Sequence, residues 1–192
     1  MNTKSRNKKC LGCDISHRKR ANERVAKILA YGDILRLGDN WILHHSTGDE
    51  GFLGWLVLQP YKHRRNLCDF SREEAREFGE VVGMIEKSLD AYWRKEFPED
   101  PLERVYVACF YESSSHLHLH IVPRPKSFED LHVCTKSCSV FEDIDVTAAW
   151  PYGWRIYLAH GCHQFPDRYR RDKQKTMELM AFLKTKLPSE RC

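Results

Sequence analysis

Three histidines alternate with aliphatic residues in His116-Leu117-His118-Leu119-His120-Ile121-Val122, and Pro123-Arg124-Pro125 follows at once. A period of two is that of an extended strand, so the imidazoles share one face and Leu117, Leu119 and Ile121 share the other. One face is core; the other is chemistry. Successive histidines on such a face stand roughly 6.5 to 7 Å apart, close to the width of a phosphate with its non-bridging oxygens. A row of imidazoles can hold one phosphorus centre from several sides. A half-exposed strand using His as its polar residue gives the same alternation, but three in register against an unbroken aliphatic counter-face favour the chemical reading.

A second set of reactive side chains stands near the start, in Cys10-Leu11-Gly12-Cys13. This is C-x2-C, with Gly in the turn that lets both sulfurs face one point, and it is half of a metal site. A redox pair would begin a helix after a strand, whereas this one follows a charged tail, so metal is the preferred reading. Cys134, Cys138, His160, Cys162 and His163 have spacings that permit a second metal site without demanding one.

The elements that must position these groups are legible in outline. Residues 16–31 carry Ala21, Val25, Ile28 and Leu29 at helical spacing, with Gly32 as a C-terminal cap. Residues 40–45 and 52–59 read as an antiparallel hairpin across a polar turn containing Gly48, Asp49 and Gly51. His44 and His45 are adjacent and point to opposite faces, so at least one should be ordinary surface, and neither is carried as catalytic. Pro60 ends the second strand and leaves His63 just beyond it, where its side chain can turn back over the sheet edge. Ser71 and Glu74 make a capping box for a long helix whose Ala75, Phe78, Val82, Ile85, Leu89 and Tyr92 form one apolar face, ending by Pro98.

Residues 104–110 read as the next strand, and 111–115 bridge it to the histidine strand. Cys68 and Cys109 read as buried or half-buried thiols. Beyond residue 125, a strand is expected over 154–159 and a helix within 167–187. Met177, Met180, Leu183 and Leu187 lie on one side of that helix, with Arg168, Arg170, Arg171, Lys173 and Lys175 at its start. Those cations oppose the helix dipole and read as a solvated face. Trp150-Pro151-Tyr152-Gly153-Trp154 reads as a lid or a base-stacking wall.

Residues 116–122 fill all seven positions of His-φ-His-φ-His-φ-φ, where φ is apolar. Gly54-Trp55-Leu56-Val57-Leu58-Gln59-Pro60-Tyr61-Lys62-His63 has the form of a central strand ending in Pro, two variable residues and His. On these stretches, in this order, the chain resembles the histidine triad (HIT) superfamily of nucleotide hydrolases and transferases, over residues 10–125. The resemblance implies an α+β, HIT-like fold: an antiparallel sheet of about five strands with a long helix packed on it. Residues 1–125 would form the catalytic domain with its zinc-binding C-x2-C, and 126–192 a C-terminal strand and helix extension packed on the same domain.

The same resemblance implies that His118 is the nucleophile that attacks an α-phosphorus and forms a nucleotidyl-histidine intermediate. It gives His120 a donor role toward a non-bridging oxygen or the leaving group, and lets His116 orient His118 through its main-chain carbonyl. It carries Cys10, Cys13, His63 and His116 over as the ligands of a structural zinc, a Cys2His2 set that leaves no position for water. Ser113, three residues before His116, falls where relatives contact phosphate through a hydroxyl. Glu112 stands where relatives frequently have Gln. A negative charge facing a polyphosphate is repulsive unless it is protonated, turned away or paired with a cation such as an amine leaving group, so a phosphoramidate joins a dinucleoside polyphosphate as candidate substrate.

His in the third position points to the hydrolase branch. The zinc set also occurs in uridylyltransferase relatives and keeps a nucleotidylyltransferase as the alternative. A non-enzymatic nucleotide-binding zinc module is the third reading. A homodimer is implied by family habit.

Composition bounds these readings. At 192 residues, 42% hydrophobic and 30% charged, the chain is long enough for one substantial core and is globular, not disordered. Residues 1–24 hold eight Lys and Arg against Asp14 and Glu23, a local +6 within a formal total of +4, leaving −2 elsewhere. That excess reads as a solvated tail. No basic stripe interleaved with aromatics accompanies it, so a nucleic-acid partner is not expected. The basic start has no apolar core after it and no apolar run could span a bilayer, so a soluble, cytoplasmic protein without a membrane partner is expected. The eight cysteines then read as reduced thiols and metal ligands.

Overall fold

Five strands form one antiparallel sheet in the order β1-β2-β3-β5-β4, with β1 at Ile34–Leu37, β2 at Trp41–His45, β3 at Leu56–Pro60, β4 at Leu102–Ala108 and β5 at Leu119–Pro125. Among the described residues four α-helices accompany them: α1 at Leu11–Ser16, α2 at Glu23–Ala30, α3 at Arg72–Glu96 and α4 at Lys173–Lys186. These come from a computed structural model that describes residues 10–46, 52–109, 115–130 and 166–187. The turn residues Gly48, Asp49 and Gly51, the candidate substrate residues Glu112 and Ser113, the Cys134, Cys138, His160, Cys162 and His163 set, the Trp150–Trp154 tract and the strand expected over 154–159 lie outside the described residues. Among the described residues no helix is long and apolar enough to cross a membrane.

The sheet sorts its residues by alternation. Leu35, Leu43, Leu58, Leu119 and Ile121 belong to the main core, packed with Val81, Ile85, Leu89 and Trp93 of α3 and with Leu179, Met180 and Leu183 of α4. Ile34 and Ile42 face the other way, into a smaller cluster with Ile15 of α1 and Val25 and Ile28 of α2. Both faces of the sheet are therefore covered, the histidine face by the first two helices and the opposite face by the long ones.

The expected capping box is present: the Ser71 side chain accepts from the Glu74 amide and the Glu74 carboxylate accepts from the Ser71 amide. Glu74 is buried and also takes a forked contact from Arg64 at 3.1 to 3.2 Å, so the start of α3 is tied to the loop carrying His63. The segment 16–31 is not one helix. Arg18 adopts φ +50, a left-handed conformation that breaks the run, and Asn22 caps a new helix by accepting from the Arg24 amide. β1 was not expected. Its four residues lie between Asp33 and Gly38, both at positive φ, and it exists because β2 offers a full edge to pair with.

β5 begins at Leu119 and runs through Pro123 and Pro125. β3 pairs only with Leu119–Ile121, so the prolines lie where β5 is paired on its β4 side alone and a missing N–H is tolerated. Of the face expected on α4, Met180, Leu183 and Leu187 are buried, while Met177 is 43% exposed and Thr176 and Leu179 are buried beside the other three. Asp172 caps this helix by accepting from the Lys175 amide, which places an anion among the basic residues at its start. Cys68 is exposed, contrary to expectation, because it sits in a short 3-10 turn (Leu67–Asp69) with no buried residue; Cys109 is half-buried.

The segment before α4 is held from both sides. Tyr169 is fully buried among Phe52, Trp93, Phe97 and Phe128, and its hydroxyl donates to Asp100. Burial pushes the Asp100 carboxyl up, but donors from Ser127 and Tyr169 and the Arg168 charge outweigh it and hold it below the usual carboxylate range. The Tyr169 carbonyl accepts from the Leu53 amide at 2.9 Å, and Arg170 bridges to Phe52.

Candidate active site and metal centre

The row of histidines begins one turn of chain before β5. Leu117 is anchored by its amide, which donates to the Arg64 carbonyl at 2.7 Å. Leu117, Leu119 and Ile121 are buried, and His116, His118 and His120 line one common pocket, so the alternation sorts the two faces as expected although only its second half is strand.

His116 uses three different atoms. Its Nε2–H donates to the Pro60 carbonyl at 2.9 Å, which leaves Nδ1 with the lone pair. Its main-chain carbonyl accepts from His118 Nδ1 at 3.0 Å. Its Nδ1 lies 3.6 Å from the sulfurs of both Cys10 and Cys13. His63 Nδ1 is 3.3 Å from Cys10 Sγ and 3.4 Å from Cys13 Sγ, and all four ligand atoms fall within 4.8 Å of one another.

Whether zinc fits can be judged from those separations. A tetrahedron with the usual Zn–S and Zn–N bond lengths has sulfur–nitrogen edges of about 3.5 Å, and the four observed ones run from 3.3 to 3.6 Å. The Pro60 carbonyl supplies the outer hydrogen bond that fixes a metal-binding tautomer. Without a cation, burial and the neighbouring Cys10 push the Cys13 thiol up to about 11, so a bound cation would supply the charge that makes a thiolate there. The donor set is compatible with zinc.

Cys10 is the N-cap of α1 and Cys13 lies in its first turn. Gly12 is helical rather than part of a tight turn, and it serves close approach: a Cβ there would lie 2.3 Å from His116 Cγ. Gln59 fastens the same helix by donating to the Gly12 carbonyl at 2.9 Å and to Ser16 Oγ at 3.1 Å. The pocket is thereby roofed by Leu11 and Ile15 of α1 and Ile28 of α2, with Arg24 and Ser46 at its margin and Val57 on its floor.

The proton positions on the two remaining triad rings follow from their partners. His118 Nδ1 faces a carbonyl and must donate, so Nε2 carries the lone pair. His120 Nδ1 receives the indole N–H of Trp55 at 2.9 Å. An indole can only donate, so in neutral His120 the proton is on Nε2. Two rings with centroids 5.3 Å apart thus present opposite groups, a lone pair and an N–H. Trp55 is held in place by Gly54, which sits at φ +84 with Pro123 and Trp93 packed against the position of a Cβ.

Both members of the His44-His45 pair are buried, at 3% and 4% exposure, correcting the expectation that one would be surface. β2 is an interior strand and each of its faces is covered. His45 Nε2 accepts from the Gly54 amide at 3.1 Å on the helix side, while Arg171 donates to the adjacent Ser46 carbonyl. His44 lines the triad pocket. Sequence alone gives Trp55 no role at the site and sets His44 aside, because their positions depend on what covers the sheet and no local pattern reports that.

No family model and no curated protein matches the chain. Among solved structures it is similar to a hypothetical histidine triad nucleotide-binding protein from Sulfolobus tokodaii, with 15% identity over 92% of this chain and 91% of that one and a TM-score of 0.50. It is also similar to a zinc-bound histidine triad family protein from Mycobacterium smegmatis (16% identity, 92% and 96% covered, TM-score 0.45) and to a Hit-like protein from Bartonella henselae (18%, 81% and 87%, 0.45). A five-stranded antiparallel sheet backed by one long helix, with three alternating histidines that lead into its fourth-placed strand, is the histidine triad fold, and this chain has it.

Proposed function

We propose that the chain is a nucleotide hydrolase that acts at an α-phosphorus through a nucleotidyl intermediate on His118. The observation that carries this reading is the opposite protonation of neighbouring rings: a lone pair on His118 Nε2 and an N–H on His120 Nε2, on one face of one pocket. The His118 lone pair attacks phosphorus as the bond to the leaving group breaks and its electron pair departs with that group. His118 then carries positive charge, which the His116 carbonyl stabilises through Nδ1–H. An amine leaving group enters protonated on nitrogen and departs neutral; water next attacks phosphorus as the phosphorus–nitrogen bond to His118 breaks, the ring recovers its lone pair, and the water's proton passes to the departed amine or to solvent. His120 donates a hydrogen bond to a non-bridging oxygen throughout, since the Trp55 N–H occupies Nδ1 and keeps the ring neutral. Ser113 adds a hydroxyl to the phosphate, and Glu112 pairs with a cationic amine leaving group, which makes a nucleoside phosphoramidate the favoured substrate over a dinucleoside polyphosphate.

Cys10, Cys13, His63 and His116 would hold a zinc ion whose contribution would be structural, since protein supplies all four positions. Two copies of the chain pair along β4, the edge strand on which Val107 is exposed, to give a homodimer. The nucleotidylyltransferase reading shares the first half of the chemistry and differs in the acceptor.

The test is intact-protein mass spectrometry after brief incubation with nucleoside phosphoramidates, dinucleoside polyphosphates and nucleotide sugars, quenched without acid. A nucleotidyl adduct that disappears in His118→Ala is expected, and its decay in water rather than only with an added phosphate acceptor separates hydrolase from transferase. Normal turnover by His118→Ala, or no consumption of any compound, would remove the reading and leave the binding module.

A further inference from the structure

Among the described residues that line the triad pocket, Arg24 alone carries a fixed charge. It is the second residue of α2 and is exposed. Its backbone amide donates to Asn22, but among the described residues its guanidinium makes no hydrogen bond or ion pair. The positions that face it on its own helix are Lys27 and Ile28, so no anion there holds it. A cation in the first turn also opposes the helix dipole. Helix stability gives no reason for a guanidinium at this place, and the pocket gives one.

The sheet order sets which part of a ligand Arg24 meets. Ile28 of α2 packs with Ile34 of β1 and Ile42 of β2, and β5 lies two places from β2 and three from β1. Arg24, one turn before Ile28 on the same side of α2, therefore enters the pocket from the β1 and β2 side. Two strand spacings, roughly 10 Å, separate β2 from the strand of His120. A nucleotide with its phosphorus at His118 and His120 reaches that side with its base. Leu11, Ile15 and Ile28 above and Val57 below offer the ring apolar surface, which does not tell one base from another.

We infer that Arg24 selects guanine, its guanidinium donating to O6 and N7 of the base of a bound guanosine nucleotide. This rests on the nucleotide reading above. A guanidinium presents a fork of donors and no acceptor, so it fits a base edge with two adjacent acceptors. Guanine carries O6 and N7 side by side, whereas adenine sets an amino donor beside N7. Uracil separates its two carbonyls by an N–H. Cytosine has adjacent O2 and N3, but O2 lies against the glycosidic bond, at the near end of the base and not at the end that Arg24 meets.

The experiment is calorimetric titration of wild type and Arg24→Met with guanosine, inosine, 7-deazaguanosine, adenosine, cytidine and uridine 5′-monophosphates. Arg24→Met keeps an unbranched stem at an exposed position, and thermal melts check that it stays folded. Wild type should bind the guanosine and inosine nucleotides about five- to tenfold more tightly than the adenosine one, the low end for a forked pair because the side chain is exposed. The 7-deaza compound, which lacks N7, should lose most of that advantage. Arg24→Met should bring the guanosine and inosine nucleotides down to the level of adenosine. Equal binding of all bases by wild type overturns the assignment while leaving nucleotide binding in place. Equal weakening of every nucleotide by Arg24→Met also overturns it and places the guanidinium on the phosphate. Undiminished binding of the 7-deaza compound, or a preference for cytidine that depends on Arg24, overturns the guanine edge. Failure of wild type to bind any of these nucleotides overturns both this inference and the functional reading.

Discussion

On the histidine face the sheet is covered by residues 10–31, two short helices that bring Ile15, Val25 and Ile28, with Leu11 and Leu29 partly buried beside them, into a small cluster. On the opposite face it is covered by α3 and α4 and the turn before α4, which bring aromatic and aliphatic side chains into a continuous core. The first cover is fastened by polar devices: four candidate metal ligands, Gln59 on the backbone of α1, and Asn22 bridging back to Asp14. The second is fastened by area, with Asp100 a buried polar hub within it. The triad pocket lies under the cover that is easier to lift. A pocket must admit and release a ligand, and a lid held by a few directional contacts can do so without opening the core.

The comparison is broken most severely at Tyr169. Tyr169→Ala removes a fully buried ring and leaves Asp100 without one donor, and it should cost about 3–5 kcal/mol of global stability by denaturant unfolding. Metal content of the protein that remains folded should be unchanged, because no candidate ligand touches this region. A smaller effect follows from acid. His44 titrates near 4 in the folded chain against 6.5 when free, so the unfolded chain binds the extra proton between those values. Stability is therefore full above pH 6.5 and falls by about 3 kcal/mol as pH drops to 4. Urea unfolding across that window should show the decline in wild type and a shallower one in His44→Phe. The smallest global effect is expected at the clasp. Cys13→Ala should abolish zinc binding and raise hydrogen exchange through residues 10–31, while amides of α3 and β4 keep their protection. Loss of protection across the whole sheet would show that the two covers are not independent.

How much of this was legible depended on how local each signal is. The alternation at 116–122, the Pro60-to-His63 spacing and the Ser71–Glu74 box are patterns within a few residues; the histidine face and the α3 cap followed from them directly, and the fold through the resemblance they carry. The gathering of Cys10, Cys13, His63 and His116 came through resemblance, since 106 residues separate Cys10 from His116 and no spacing rule joins them. β1 escaped because four residues between two positive-φ positions are stabilised by their neighbour and not by themselves. His44, Trp55 and the exposure of Met177 on α4 depend on which surface each side chain meets. Trp55 in particular looks like ordinary strand core until its N–H is seen on His120. Resemblance also supplied Glu112 and Ser113, and they remain proposals.

His116 places its ring nitrogens on two partners and its carbonyl on a third. Every amino acid brings a carbonyl to position 116, and only histidine brings the ring. In genetic terms the two contributions are inseparable from one side only: a substitution there strips the clasp and the Pro60 anchor together, yet the acceptor for His118 is still written into the chain. Defects at this codon should thus trace to a carbonyl that has drifted, not to one that has been lost.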